Sequence, residues 1–239
     1  MKKIAVVIPA YGESSNIVDL CKEILHHYAH ADILIVDDSP DLLTVKAIKE
    51  FAHPQVTIKH REKKGGRGSA VILGIIECLN KDYEYFLEID ADFSHPPSQI
   101  PSLIKYADEK KIDLLIASRY LADSKIINWP LSRKIFSKCA NVLARVLLRV
   151  PVYDYTNGFR LYSHRSAVEL TRTCGKLGNG FIALSEILVN LHYRQYSIGE
   201  VPTIFVNRIR GESSLSRKEI WNALSGLGRI YKLKRRLSK

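Results

Sequence analysis

The chain lacks any run of the ~18 to 20 consecutive apolar residues that a membrane-spanning helix requires. Its first apolar run, Ile4-Ala5-Val6-Val7-Ile8, is cut off by Pro9-Ala10-Tyr11-Gly12-Glu13 before a signal-peptide core could form. The expected location is therefore cytoplasmic, peripheral on the cytoplasmic face of a membrane. Cysteine is scarce: Cys21, Cys78, Cys139 and Cys174 stand far apart with no Cys-x-x-Cys pair. That spacing argues against disulfides or a zinc site and for reduced packing residues. No internal repeat, low-complexity tract or Gly/Ser linker occurs, so a string of modules is excluded and one principal core is expected. Acids are the minority, 25 against 36 Lys and Arg, for a net charge of +11. This excess carries no interleaved aromatic stacking motif, so a nucleic-acid partner is not expected.

What is present is a series of short continuous apolar runs. Ile4 to Pro9, Ile33 to Val36, Val56 to Lys59, Tyr85 to Asp90 and Leu114 to Ala117 read as strands, and the unbroken ones fit a parallel sheet buried on both faces. Helical spacing appears between them, over Asn16 to Tyr28, Ser69 to Leu79 and Pro101 to Lys110. Alternating strands and helices predict a Rossmann-like α/β sheet, whose ligands bind at the carboxyl ends of the strands. Polar groups gather at those ends: Tyr11 and Glu13 after the first strand, Asp37 and Asp38 after the second, Asp90-Ala91-Asp92 after the fourth. A strand running through Asp90 would aim the Asp90 and Asp92 carboxylates at one spot, a pairing suited to Mg2+ or Mn2+ shared with a substrate phosphate.

The ordered series Val7-Ile8-Pro9-Ala10-Tyr11-Gly12-Glu13, Val36-Asp37-Asp38-Ser39, Gly66-Arg67-Gly68-Ser69-Ala70, Asp90-Ala91-Asp92-Phe93-Ser94-His95-Pro96-Pro97, Ala117-Ser118-Arg119-Tyr120, Arg133 and Asp154-Tyr155-Thr156-Asn157-Gly158-Phe159-Arg160 covers most of the chain. It resembles the inverting, metal-dependent nucleotide-sugar glycosyltransferases of the GT-A fold, in the family that includes dolichol-phosphate mannose synthases and other polyprenyl-phosphate hexosyltransferases. The resemblance implies a mostly parallel sheet flanked by helices. It implies that Pro9, Tyr11, Glu13, Asp38, Gly68, Asp90 and Ala91 bind a nucleotide sugar, GDP-mannose or a UDP-sugar, and that Asp90 and Asp92 hold Mg2+ or Mn2+. It further implies that Arg119, Arg133, Ser137 and Arg208 bind the phosphate of a polyprenyl or dolichyl acceptor, and that Asp92, Arg119, Arg133 and Asp154 carry catalysis. Asp154 is the one candidate base, with sugar binding or anchoring of Arg160 as alternatives, and Glu186 is a further candidate sugar contact. Two positions depart from relatives: Ser94 stands where many have Gln, and Ser214 where many have Lys.

The expected reaction is inverting transfer of a hexose, mannose favoured, to a lipid phosphate. The competing expectations are a UDP-sugar transferase acting on a saccharide or protein hydroxyl, and a noncatalytic subunit of a membrane glycosylation complex. Residues 1–215 are expected to form the GT-A unit, with 1–120 the nucleotide-sugar half and 121–215 the acceptor half, and 216–239 a basic amphipathic helix. In that helix Ile220, Leu224, Leu227 and Tyr231 form an apolar stripe, and residues 217–239 hold eight Lys/Arg against Glu219. Ile135, Phe136, Cys139, Val142, Leu143, Val146 and Leu147 form a second stripe beside Lys134, Lys138, Arg145 and Arg149. Both predict contact with an anionic membrane surface, with a small membrane partner subunit as a further expectation.

Overall fold

The apolar runs become the centre of one sheet because both of their faces are covered. In the computed structural model, which describes residues 2–178, 182–207 and 217–238, β1 (Ile4–Ala10) pairs in parallel with β2 (Ala31–Asp37), and β2 with β3 (Val56–His60). The crossovers are α1 (Ile17–His27) and α2 (Leu43–Phe51). Helix α3 (Arg67–Cys78) then carries the chain back across the sheet to β4 (Tyr85–Glu88), which lies parallel on the other side of β1. That reversal is the topological switch point of the sheet, where such folds place their ligands.

The chain continues through α4 (Ile100–Lys110), β5 (Leu114–Ser118), β6 (Lys125–Ile127), α5 (Leu131–Leu148), β7 (Arg160–Ser163), α6 (His164–Thr173), α7 (Ile182–Tyr193), β8 (Ile198–Pro202), β9 (Ile204–Val206) and α8 (Arg217–Leu237). Among the described residues the main sheet runs β3-β2-β1-β4-β7-β5-β8, with β7 antiparallel to β4 and β5, while β6 and β9 form a separate parallel ribbon. Strand β7 comes from beyond residue 121 yet lies between β4 and β5, so the two expected halves share one sheet.

Alternation along β1 feeds two cores. Ile4, Val6 and Ile8 face α1 and α4 with Ile17, Leu20, Ile24 and Leu103, while Ala5 and Val7 face α3, α6 and α7 with Val71, Ile75, Leu170 and Leu188. Each fully buried Val, Ile or Leu side chain contributes roughly 1.5–3 kcal/mol. Helix α3 can lie this close to the sheet because Gly74 has no side chain: a Cβ there would overlap Val7.

Strand β4, the seam of α8 and the placement of Cys139 differ from the sequence expectation. Strand β4 ends at Glu88, so Asp90 and Asp92 lie in the following loop and strand alternation does not align them. The loop takes its own shape through Phe93 at φ 58° and the Ser94 N–H donated to Asp92 Oδ1 at 3.1 Å. Helix α5 turns Arg133, Ser137, Asn141, Ala144 and Leu148 toward the protein and leaves Ile135, Phe136, Cys139, Val142, Leu143 and Val146 exposed. Cys139 is thus not a packing residue, unlike buried Cys21, Cys78 and Cys174. In α8, Ile230 is fully buried and Leu227, Leu233 and Leu237 pack on the same core, beside α5 and α7, whereas Tyr231 is exposed. Its apolar seam is rotated from the expected stripe, and Arg229, Lys232 and Arg236 face outward. Side chains Ile220, Trp221 and Leu224 lie outside the described residues.

Candidate active site

The carboxyl ends of β1, β2, β4 and β5 and the start of antiparallel β7 all open onto one edge of the sheet. Pro9 is the last but one residue of β1, and the loop after Ala10 is fastened to the next strand end: the Gly12 N–H, at φ 71°, donates to Ser39 Oγ at 2.8 Å, and Ser39 Oγ donates to Asp37 Oδ1 at 2.5 Å. Tyr11 projects outward with Lys64 Nζ 3.5 Å from its ring centroid. Glu13 lies in the turn that leads into α1, its carbonyl accepting from the Asn16 and Ile17 N–H groups at 3.0 Å and its carboxylate from Asn16 Nδ2 at 3.0 Å.

Asp38 is buried and its oxygens are engaged by protein. Arg61 donates through Nε at 2.5 Å and Nη2 at 2.6 Å, and the Gly65 and Gly66 N–H groups each donate at 3.0 Å. It therefore shapes the glycine loop that leads into Gly68 and α3. Gly66 takes φ 85°, a left-handed conformation at the helix start that glycine adopts without strain.

Asp90 and Asp92 flank buried Ala91. Arg67, the first residue of α3, donates through Nε at 2.8 Å and Nη2 at 2.7 Å to Asp90 Oδ1, and through Nη1 to Glu88 Oε1. Burial opposes ionisation of Asp90, but Arg67 and His95 more than offset it and hold the carboxyl well below the usual range. The Nε2 atom of His95 lies 3.4 Å from Asp90 Oδ2. Among the described residues no cluster of three or more His, Cys, Asp or Glu could by itself enclose a metal. A pair of hard carboxylates fits Mg2+ or Mn2+ nonetheless, since these ions usually take one or two carboxylates and complete their shell from phosphate and water. Ser94 is buried, with its backbone carbonyl accepting from Val206 N at 3.0 Å.

On the other side of the edge, Arg119 follows β5 and is buried against Asp154. Asp154 accepts from Arg119 Nε and Nη2 at 2.8 Å, from the Arg119 N–H at 3.0 Å, and from the N–H groups of Thr156 and Asn157 at 3.2 and 2.9 Å. Burial works against its charge, but Arg119 and these donors lower its pKa. Asp154 thus anchors Arg119; Arg160, fully buried, donates instead to the carbonyls of Asn157, Leu184 and Tyr155. Trp129 lies between two cations, with Arg133 Cζ 4.2 Å and Arg119 Cζ 5.5 Å from its ring, and its buried Nε1–H has no hydrogen-bond partner among the described residues. Phe205, from β9, packs on both Trp129 and His95, with centroids 5.2 and 5.1 Å apart. Ser137 Oγ accepts from the Tyr120 hydroxyl at 2.6 Å. Arg133 donates to Asn207 Oδ1 at 3.3 Å.

The structure therefore brings Tyr11, Asp38, Gly68, Asp90 and Asp92 to the same sheet edge as Arg119, Arg133, Ser137 and Asp154. Arg208 and Ser214 lie outside the described residues. Glu186 is buried elsewhere, accepting from the Gly175 and Lys176 N–H groups, and burial raises its pKa despite them. Sequence reasoning did not single out Arg67, Trp129, Glu88 or His95. One signal was present: Glu88 sits in an apolar strand, and a buried carboxylate requires a cation or donors nearby.

The fold agrees with known proteins. The model of Glycosyl transferase family 2 matches residues 5–171. Polyprenol monophosphomannose synthase of Mycolicibacterium smegmatis is 33% identical over 93% of this chain and 84% of its own. Undecaprenyl-phosphate mannosyltransferase of Micrococcus luteus is 34% identical over 90% and 88%. Dolichol-phosphate mannosyltransferase of Pyrococcus furiosus is 35% identical over 96% of this chain and 64% of its own. In fold the chain is similar to glucosyl-3-phosphoglycerate synthase from Mycobacterium tuberculosis in complex with phosphoglyceric acid, with a TM-score of 0.68 at 19% identity over 95% of this chain and 80% of that one. A structure of that synthase with Mn2+ and UDP-glucose gives a TM-score of 0.66 at 19% identity, over 95% and 79%. The chain belongs to glycosyl transferase family 2, and the enzyme is a glycosyltransferase.

Proposed function

We propose that the protein transfers a hexose, with mannose favoured, from a nucleotide sugar to a polyprenyl phosphate with inversion at the anomeric carbon. One observation carries the choice of acceptor: the only base candidate the sequence offered, Asp154, is buried under Arg119 and held ionised by it, while two arginines flank an indole N–H that lacks a partner among the described residues. A hydroxyl acceptor needs a base to take its proton. A phosphate monoester does not, since its second pKa lies near about 6 and it is largely dianionic at neutral pH.

Arg119 spends Nε and Nη2 on Asp154 and Thr156, which fixes the plane of its guanidinium. Together with Arg133 and Trp129 it would hold and orient the acceptor phosphate. A phosphate oxygen forms the new bond to the anomeric carbon as the bond to the nucleoside diphosphate breaks on the opposite face, its electron pair leaving with the diphosphate. Asp90 and Asp92 would hold Mg2+ or Mn2+, which neutralises charge on the leaving diphosphate. The donor base would lie over the Tyr11 loop.

The reading includes a membrane surface as the place of reaction. Helix α5 presents Ile135, Phe136, Val142, Leu143 and Val146 to solvent, with Lys138 and Arg149 exposed beside them, while its inner face carries Arg133 and Ser137. An apolar outer face edged with cations suits the boundary of an anionic bilayer.

The test is transfer of labelled sugar from a panel of GDP- and UDP-sugars, with polyprenyl phosphate and Mg2+ or Mn2+, into organic-extractable product. Wild type should give one lipid-linked product, and Asp92→Ala or EDTA should remove it. Transfer to soluble saccharides, with none to lipid, would overturn the acceptor assignment.

A further inference from the structure

We propose that Arg67 acts as a resident cation of the Asp90/Asp92 pair, keeping its affinity for a divalent metal low until a nucleoside diphosphate is present. The inference rests on the metal reading above and concerns the order in which metal and donor occupy the site.

The seat of Arg67 is built for it. Two of its nitrogens lie 2.7 and 2.8 Å from Asp90 Oδ1, its third holds Glu88 Oε1, and Nη2 also donates to the Gly158 carbonyl at 3.3 Å. Glu88 is fully buried, and its other oxygen accepts from the Tyr162 hydroxyl at 2.8 Å. This carboxylate cannot swing away from Arg67 without leaving Tyr162. At Gly158 a Cβ would overlap the guanidinium, so the backbone there leaves the space that Arg67 fills. The Arg67 side chain is 14% exposed, and that of Asp90 26%.

Electrostatics follows from this placement. A metal bound by Asp90 and Asp92 would sit beside the fixed positive charge of Arg67, in a partly buried place where water screens poorly. A carboxylate already paired with a guanidinium, as Asp90 is, attracts a dication less than a bare one. A diphosphate brings negative charge and oxygen ligands together, offsetting the repulsion and completing the shell. Metal and donor should therefore bind as a pair, each strengthening the other by the same factor.

The experiment is Mn2+ binding followed by electron paramagnetic resonance on wild type, Arg67→Lys and Arg67→Gln, each alone and with GDP or UDP, without acceptor or turnover. Wild type should bind Mn2+ at least about tenfold more tightly with the cognate nucleotide than without it. Arg67→Gln should bind Mn2+ alone about tenfold more tightly than wild type and lose most of the coupling, while Arg67→Lys retains it. If Arg67→Gln binds Mn2+ alone no better than wild type, Arg67 only orients Asp90 and the proposal falls. Equal wild-type affinity with and without nucleotide also overturns it, a readout that needs no variant. Wild type that binds no Mn2+ under any of these conditions would remove the metal reading and this inference with it.

Discussion

Removing the charge of Asp154 would strand the guanidinium of Arg119 in the protein interior, where it has been paired with a carboxylate through two nitrogens. Breaking one partner of a buried ion pair typically costs about 3–5 kcal/mol, so Asp154→Asn should lower the unfolding free energy by that order. The pH dependence follows from the same pair. Burial alone would raise the pKa of Asp154, but Arg119 and the N–H donors lower it. With a depressed folded value, the stabilisation is present above the unfolded carboxyl pKa of about 3.9 and is lost as pH falls through the folded value. Wild type should lose stability as the medium becomes acidic below about pH 4, and Asp154→Asn should show a shallower loss. Urea unfolding across an acidic pH series measures both slopes; parallel curves would mean that Asp154 is not the residue responsible.

At the scale of elements, the β6–β9 ribbon joins the two sides of the site. It carries Phe205, which touches both His95, beside the carboxylate pair, and Trp129, between the arginines. Trp129→Phe keeps an aromatic ring beside Arg133 and removes the N–H together with part of the indole ring system. A hydrogen bond to a charged group contributes about 1.5–3 kcal/mol, so the KM for polyprenyl phosphate should rise roughly tenfold or more. The donor KM should stay unchanged, while the space left by the smaller ring lowers Tm modestly; an unaltered acceptor KM would show that the indole N–H does not meet the phosphate. No sequence pattern announced this ribbon, because β6 and β9 have three residues each and lie far apart in the chain. The parallel strands were legible because burial on both faces demands unbroken apolar runs such as Ile4 to Ile8. Strand β7 was not, since Arg160-Leu161-Tyr162-Ser163 reads as polar until Arg160 is seen to satisfy itself on three carbonyls. The Asp90/Asp92 pair was found from spacing that the structure does not use, its strand ending at Glu88. Periodicity located the apolar stripe of α5 but could not say that its polar side faces inward.

For the whole molecule, that inverted helix sets how a lipid could reach the arginines. Arg133 and Ser137 lie on the inner side of α5, while Ile135, Phe136 and Cys139 lie on the outer side. A helix is about 10–12 Å across with its side chains, so a bilayer touching the outer face would place its phosphates within that distance of Arg133. Basic residues near an anionic surface add about 1 kcal/mol each, and α5 carries Lys134, Lys138 and Arg145, with Arg149 capping its end, on a chain of net charge +11. The cysteines supply a reporter. Burial pushes the thiols of Cys21 and Cys174 up to about 12 and that of Cys78 to about 11, whereas Cys139 is exposed. A maleimide should therefore label Cys139 alone in the native enzyme, as read by peptide mass spectrometry. Anionic vesicles should slow that labelling several-fold, and high salt or zwitterionic vesicles should restore it, since screening weakens the attraction. Ile135→Asp with Val142→Asp should abolish co-sedimentation with the vesicles. Labelling unaffected by saturating vesicles would overturn membrane docking through α5, and protection of Cys139 without vesicles, rising with protein concentration, would identify a second copy as what covers this face.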